Sequence, residues 1–281
     1  VRNEANPFTD PGQVRGALYA SADRMARRTS ALHRARVSGR HAAAVLCDLA
    51  EQAPGTETGL IADLGCGRGT ITRMLAERLP MARVLGTDLS AALLMAARQR
   101  LAGTGRAALI RTDFHRLPFP HDSCNLVIAA FCLYHARSPT SVIAEIARCL
   151  VPGGTAIIAV KSADSYQELD QLMAKSGLDP RAESRPSLYQ AAHSGNIESL
   201  ASASLDVRQV THETHQFLFP ALTDAADYLS TSPKYDLPPG LAADPAALAA
   251  ALRQRMVDEP VTATSIVTYL TAVRAPAEVA S

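Results

Sequence analysis

The stretch "IADLGCGRGTIT", Ile61 to Thr72, sets an apolar run and a carboxylate before three glycines at alternate positions, then opens a helix-like pattern. A strand that passes through a glycine turn into a helix brings backbone amides close to whatever lies above it, so the turn is a candidate ligand site. Outward from it, short β-leaning runs alternate with helix-period segments as far as residue 161. "LIADL" (60–64) precedes a helix at about 70–79, and "ARVLGTDL" (82–89) precedes one at about 90–102. "RAALIRT" (106–112), "CNLVIAAF" (124–131) and "TAIIAV" (155–160) follow, with "SVIAEIARCL" (141–150) as a helix before the last. Strands apolar on both faces and separated by amphipathic helices belong in a parallel sheet covered on two sides, an α/β doubly wound arrangement.

Beyond that the alternation breaks. "LDVRQVTHETHQFLF" (205–219) and "TSIVTYLTAV" (264–273) read as strands separated by mostly helical sequence, which predicts an antiparallel hairpin at the sheet edge with a helical cap inserted between its arms. The expected division is an N-terminal helical lid (1–55), a Rossmann-like core (56–219), a cap that shapes an acceptor pocket (220–260), and a final edge strand with its tail (261–281).

Composition bounds the partners. The 281 residues are 47% hydrophobic with a formal net charge of +1, enough for a substantial core and too little charge to steer the chain toward nucleic acid or an anionic membrane. The five cysteines form no CxxC pair, which reads as reduced thiols in a cytoplasmic protein. The first ten residues lack the apolar block of a signal peptide, and the longest apolar run, Leu126 to Tyr134, is about half the length of a membrane-spanning helix. Arginine supplies 25 of the 28 basic residues, a bias expected of a GC-rich bacterial genome.

The glycine spacing disfavours two ligands, and a nicotinamide oxidoreductase stays as an alternative that a titration of the two cofactors would settle. Gly65, Gly67 and Gly69 run GxGxG, one residue short of the dinucleotide fingerprint, and no Lys-Ser/Thr pair follows as a P-loop requires. Asp88 closes the second strand in "GTDLS", where a carboxylate can accept both hydroxyl protons of a ribose. The third strand ends in "TDFHRLPFP", where Asp113 can accept from an adenine amino group while the amide of Phe114 donates to the ring.

With these residues in place the sequence resembles the class I S-adenosylmethionine-dependent methyltransferases, in the broad subgroup acting on small molecules. "DLGCGRG" is similar to the family's first motif and "GTDLS" to its ribose-binding second. "TDFHRLPFPHDSCNLVIAAFCLYH" and "EIARCLVPGGTAIIAV" are similar to the two segments that follow, and the likeness runs through about 60–161. The resemblance implies S-adenosylmethionine as donor, S-adenosylhomocysteine as product and no metal. It places the methionyl and ribose portion over Gly65, Cys66, Gly67 and Gly69, with Asp63 holding the loop toward the ammonium. Asp88 would take the ribose, Leu89 would pack on the adenine, Thr112, Asp113 and Phe114 would frame its polar edge, and Ala130 and Phe131 would lie near the sulfonium. Two departures from the family pattern, Asn125 for an acid and Tyr134 for a histidine, fall outside the ribose and adenine grip and bear on substrate chemistry instead.

"LYASADRMARRTSALH" (18–33) resembles the family's mobile helix, and Tyr19 or Arg28 would then meet the donor's carboxylate. Alignment of a nucleophile behind an activated methyl can contribute on the order of 7–11 kcal/mol without any catalytic group. A hydroxyl acceptor also needs its proton removed, and His135, beside Tyr134, is the candidate base. His115 and His121 are expected to be exposed, and the spacing of His212 and His215 places them on opposite faces of a strand, against a shared metal. The reading is a small-molecule O- or N-methyltransferase of bacterial specialised metabolism, acting as a monomer or homodimer. Two further alternatives stay open. One is an RNA methyltransferase, drawn from the arginines between 24 and 40; the other is a donor-binding cyclase or regulator that transfers nothing.

Overall fold

The computed structural model describes residues 6–10, 12–13, 18–19 and 21–275. Ala20 of the expected mobile helix and the tail beyond Ala275 lie outside the described residues. One sheet contains strands β1 (Leu60–Leu64), β2 (Arg83–Asp88), β3 (Ala107–Arg111), β4 (Cys124–Ala130), β5 (Leu150–Lys161), β6 (Asp206–Phe219) and β7 (Val261–Val273). Their order is β3-β2-β1-β4-β5-β7-β6. Strands β1 to β5 are parallel, and β7 runs antiparallel to β5, with Thr155 opposite Val273 and Lys161 opposite Val267. The chain leaves β1 for β2 on one side and returns to β4 on the other, so the crevice above β1 is the switch point where ligands settle in such sheets.

By contacts the chain forms two compact units. One comprises 1–39, 162–190 and 213–266; the other comprises 40–161, 191–212 and 267–281. Strands β6 and β7 are each divided between them.

The second unit carries the parallel strands and the helices α2 (Ala42–Gln52), α3 (Thr70–Arg78), α4 (Ala91–Arg100), α5 (Pro139–Cys149) and α7 (Ile197–Ser202). Side chains that alternate along a strand go to opposite faces, and here both faces are apolar. Ile61, Leu126, Ile128 and Ile157 pack with Leu46 and Ala50 of α2 and Leu75 of α3. Ala62, Leu64, Val127, Ala129 and Ile158 pack with Val142, Ile143 and Ile146 of α5. Burying each such large aliphatic side chain contributes roughly 1.5–3 kcal/mol, which is what fixes the sheet beneath its loops. At the opposite end of the strands, Asn125 accepts from the amide of Leu60 at 3.0 Å.

In the first unit, α1 (Ala22–Ala35) is capped by Ser21, whose hydroxyl accepts from the Asp23 amide at 3.0 Å. Helix α1 packs on α8 (Leu222–Leu229) through an Arg34–Asp227 ion pair at 2.7 Å and a hydrogen bond from Arg24 Nε to the Thr231 carbonyl at 3.0 Å. Helix α6 (Gln167–Lys175) belongs to the same unit, as do α9 (Pro239–Ala243) and α10 (Pro245–Arg253) in the expected helical cap. Along β6, His215 is buried and His212 is exposed, as their spacing predicts.

Candidate functional site

The glycine turn after β1 is left-handed at all three glycines, with φ of +61° at Gly65, +56° at Gly67 and +74° at Gly69. A side chain on Gly65 would also meet Cys132 Cβ at 2.6 Å, and one on Gly69 would meet Ala97 Cβ at 2.9 Å. These two glycines are therefore required by packing as well as by the turn. The amide of Cys66 donates to the Thr87 carbonyl at 2.9 Å, and that of Gly67 donates to Asp88 Oδ2 at 2.9 Å. The other oxygen of Asp88 accepts from Ser90 N at 2.8 Å. Each carboxylate oxygen can accept more than once, so both remain capable of taking a sugar hydroxyl.

Beneath the turn, Asp63 is 1% exposed. Its Oδ2 accepts from the Thr72 hydroxyl at 2.6 Å, and its Oδ1 is buried with no hydrogen-bond partner. Burial, and secondarily the negative charge of Asp88, push the Asp63 carboxyl up to about 7, against the Thr72 hydrogen bond. Burial likewise raises Asp88, opposed by backbone donors. Two acids this close at one strand-end rim, Asp63 beneath the turn and Asp88 bonded to it, fit a cationic ligand.

On the next loop, Asp113 Oδ1 accepts from the His115 amide at 3.0 Å and lies 2.7 Å from His115 Nδ1. The His115 ring lies 5.0 Å from that of Phe114 and its Nε2 is buried without a partner, so His115 is half-buried, contrary to the exposure expected. The imidazole is drawn in because Asp113 engages both its backbone and its ring. The Thr112 amide donates to the Asp88 carbonyl at 3.1 Å, and Leu89 is partly exposed beside it in sequence.

Strand β4 ends at Ala130, and Phe131 follows with φ of +55°, a conformation that costs a bulky residue on the order of 1–3 kcal/mol and marks functional sites. Its amide donates to the Ala159 carbonyl at 2.8 Å, and Lys161 Nζ stands 5.8 Å from its ring centroid. A short 3-10 turn, Leu133–His135, then holds Tyr134, 8% exposed, edge-on to the His135 ring at 4.6 Å.

Within this unit the turn glycines, Asp63 and Asp88 are joined by direct hydrogen bonds or electrostatics, while Asp113, Phe131 and His135 follow the ends of neighbouring strands. Tyr19 and Arg28 belong to the other unit. Asn125 does not bear on substrate chemistry: it stands five residues before Ala130, roughly 16 Å away along an extended strand, where it serves the Leu60 amide. Thr72, Cys132 and Lys161 were not legible as site residues. Thr72 sits three residues past Gly69 in the first turn of α3, which is the one signal that could have marked it as Asp63's partner.

A family profile described as a methyltransferase domain matches residues 61–154, the span that carries the turn, both acids and β4. Over that span the chain is similar to methyltransferase domains. Among curated relatives, a trans-aconitate 2-methyltransferase of Paracidovorax citrulli is 35% identical over 122 residues, 43% of this chain and 45% of that protein. A malonyl-[acyl-carrier protein] O-methyltransferase of Halorhodospira halophila is 32% identical over 117 residues, 42% of this chain and 40% of that protein. The chain thus spans under half the length of these relatives. Among solved structures, YcgJ of Bacillus subtilis shares the fold with a TM-score of 0.56 at 15% identity, over 85% of this chain and all of that one. The [4+2]-cyclase SpnF does so with a TM-score of 0.53 at 18% identity, over 83% of this chain and 81% of that one.

Proposed function

We propose that this chain transfers a methyl group from S-adenosylmethionine to an oxygen or nitrogen of a small organic acceptor. The observation that supports the reading is the buried Asp63 and the half-buried Asp88, gathered around a left-handed glycine turn, with Asp88 bonded to the Gly67 amide. S-adenosylmethionine, when bound, supplies an electrophilic methyl carbon on a positively charged sulfur.

The residues would divide the work of holding it. Asp88 accepts from the ribose hydroxyls while Gly67 N and Ser90 N keep its carboxylate oriented. Asp63 faces the ammonium side, Leu89 packs on the adenine, and Asp113 and Phe114 frame the purine edge. Ala130 and Phe131 bound the methyl. For a hydroxyl acceptor, His135 takes the proton; a carboxylate or a neutral amine needs no base. The relatives' names favour oxygen acceptors, since one is a malonyl-[acyl-carrier protein] O-methyltransferase. The apolar cap helices, with Leu248 and Leu252 buried, and the arginine-rich composition support an organic metabolite in a bacterial cell.

Against the RNA reading, Arg24 and Arg34 already bond to the Thr231 carbonyl and to Asp227. A cyclase shares the fold, so the deciding experiment must follow the methyl group itself. Incubating the protein with methyl-tritiated donor and bacterial metabolite extracts should move label into an organic product that gains one methylene in mass. Label that stays in the donor while an acceptor is consumed would instead support the non-transferring reading.

A further inference from the structure

The loop after β3 brings an acid and an imidazole together. Asp113 Oδ1 accepts from the His115 amide at 3.0 Å and stands 2.7 Å from His115 Nδ1. The first contact is one that an aspartate commonly makes with the backbone two residues on, in a turn. The second belongs to no turn and requires the ring to fold back over the acid. An ionised carboxylate has only acceptor sites, so Nδ1 is the protonated nitrogen of the pair.

Packing restrains the ring as well. It lies 5.0 Å from the Phe114 ring at an interplanar angle of 36°, and its Nε2 is buried with no hydrogen-bond partner among the described residues. The imidazole thus gives up hydration at Nε2 to stay against Asp113, a cost that a ring turned to solvent would not carry. Two donors converging on one oxygen fix the rotation of the carboxylate about its Cβ–Cγ bond. An oxygen so engaged still has capacity for a further donor.

An acid on Nδ1 with Nε2 unengaged is also the arrangement of a general base. Position decides against that role. The His115 loop follows β3 whereas Phe131 follows β4, and β2 and β1 lie between those strands in the sheet. Three strand spacings separate the two ends by about 14 Å, too far for a proton transfer at the methyl and on the side where the purine would lie.

We propose that His115 is a positioning residue for purine recognition: by fixing Asp113 as an acceptor, it makes the site select a 6-amino purine over a 6-oxo purine. The inference rests on the methyl-transfer reading, in which Asp113 meets the adenine edge. A purine amino group donates to the carboxylate, whereas the oxygen of a 6-oxo purine would face it lone pair to lone pair.

Calorimetry with S-adenosylhomocysteine and with S-inosylhomocysteine, the weaker ligand titrated by displacement, reads the selection. Wild type should prefer the 6-amino compound by about tenfold or more. His115→Phe keeps a ring beside Phe114 and removes the Nδ1 donor. The preference should then fall by about threefold or more, through weaker S-adenosylhomocysteine binding alone. Unchanged S-inosylhomocysteine affinity certifies that variant as folded. His115→Asn, whose amide can stand where Nδ1 stands, should restore most of the preference. If His115→Phe weakens both compounds equally or neither, its ratio matches wild type, His115 is merely structural and the proposal is overturned. Equal binding of the two compounds by wild type would show that Asp113 does not read the amino group, which overturns the proposal and leaves the donor reading standing. If wild type binds neither compound, the donor reading falls and the proposal falls with it.

Discussion

The carboxylate of Asp88 holds the amide of Gly67 at 2.9 Å, tying the end of β2 to the middle of the glycine turn that follows β1. A single side chain thus fixes the loop and keeps acceptor capacity for a sugar. Asp88→Ala removes the acceptor for two backbone amides, Gly67 N and Ser90 N. Unfolding stability should fall by about 1–3 kcal/mol, read by urea titration. S-adenosylhomocysteine affinity should fall by a factor of about ten or more, read by calorimetry.

Gly65 is set by two constraints at once. Gly65→Ala must hold φ of +61° and place its Cβ 2.6 Å from Cys132 Cβ, so destabilisation of about 2 kcal/mol or more is expected. Gly103, at φ of +87° with nothing within 4 Å, is the control. Gly103→Ala should cost only the backbone strain, about 1 kcal/mol. Because the crowding atom is the Cβ of Cys132, Cys132→Gly and not Cys132→Ala should recover part of the difference in thermal unfolding.

The Asp63 carboxyl, raised to about 7 by burial and by Asp88, makes donor binding depend on pH. Its thiol neighbours Cys66 and Cys132 are themselves pushed up by burial and stay neutral. A cationic ligand favours the ionised acid, so affinity for S-adenosylmethionine should rise as pH increases from about 6 to 8, with proton release on binding. In the free protein the sign is opposite. The folded state holds a proton that the unfolded chain releases near its ordinary value of 3.8, so this group's stabilising contribution is full below that pH and is lost as pH rises through about 7. Calorimetry in buffers of different ionisation enthalpy reads the first effect and thermal melts read the second; Asp63→Asn should flatten both.

Asn125 serves the far end of the sheet. Asn125→Ala should lower stability by about 1 kcal/mol through the loss of the Leu60 amide's acceptor, with no change in S-adenosylhomocysteine affinity.

The sheet was legible because its strands are apolar on both faces: Ile61 and Ala62, or Leu126 and Val127, serve opposite layers, so the sequence shows runs with no polar interruption. Strand ends were less so, and β5 begins at Leu150, ahead of the Pro-Gly-Gly sequence that would ordinarily delay it. The turn glycines and Asp88 were readable from spacing, since each serves the backbone close to it. What escaped depends on side-chain packing: the crowding of Gly65 by Cys132 and the capture of His115 by Asp113. Asn125 was misread because a departure from a family pattern signals change without saying where in space it falls.

The rim around Asp63 and Asp88 is proposed to receive an adenosyl cation. Side-by-side calorimetric titration of the protein with S-adenosylmethionine and with NAD tests it most directly. S-adenosylmethionine should give saturable heat, weakened by Asp88→Asn, and NAD should give none. Saturable binding of NAD with none of S-adenosylmethionine would contradict it.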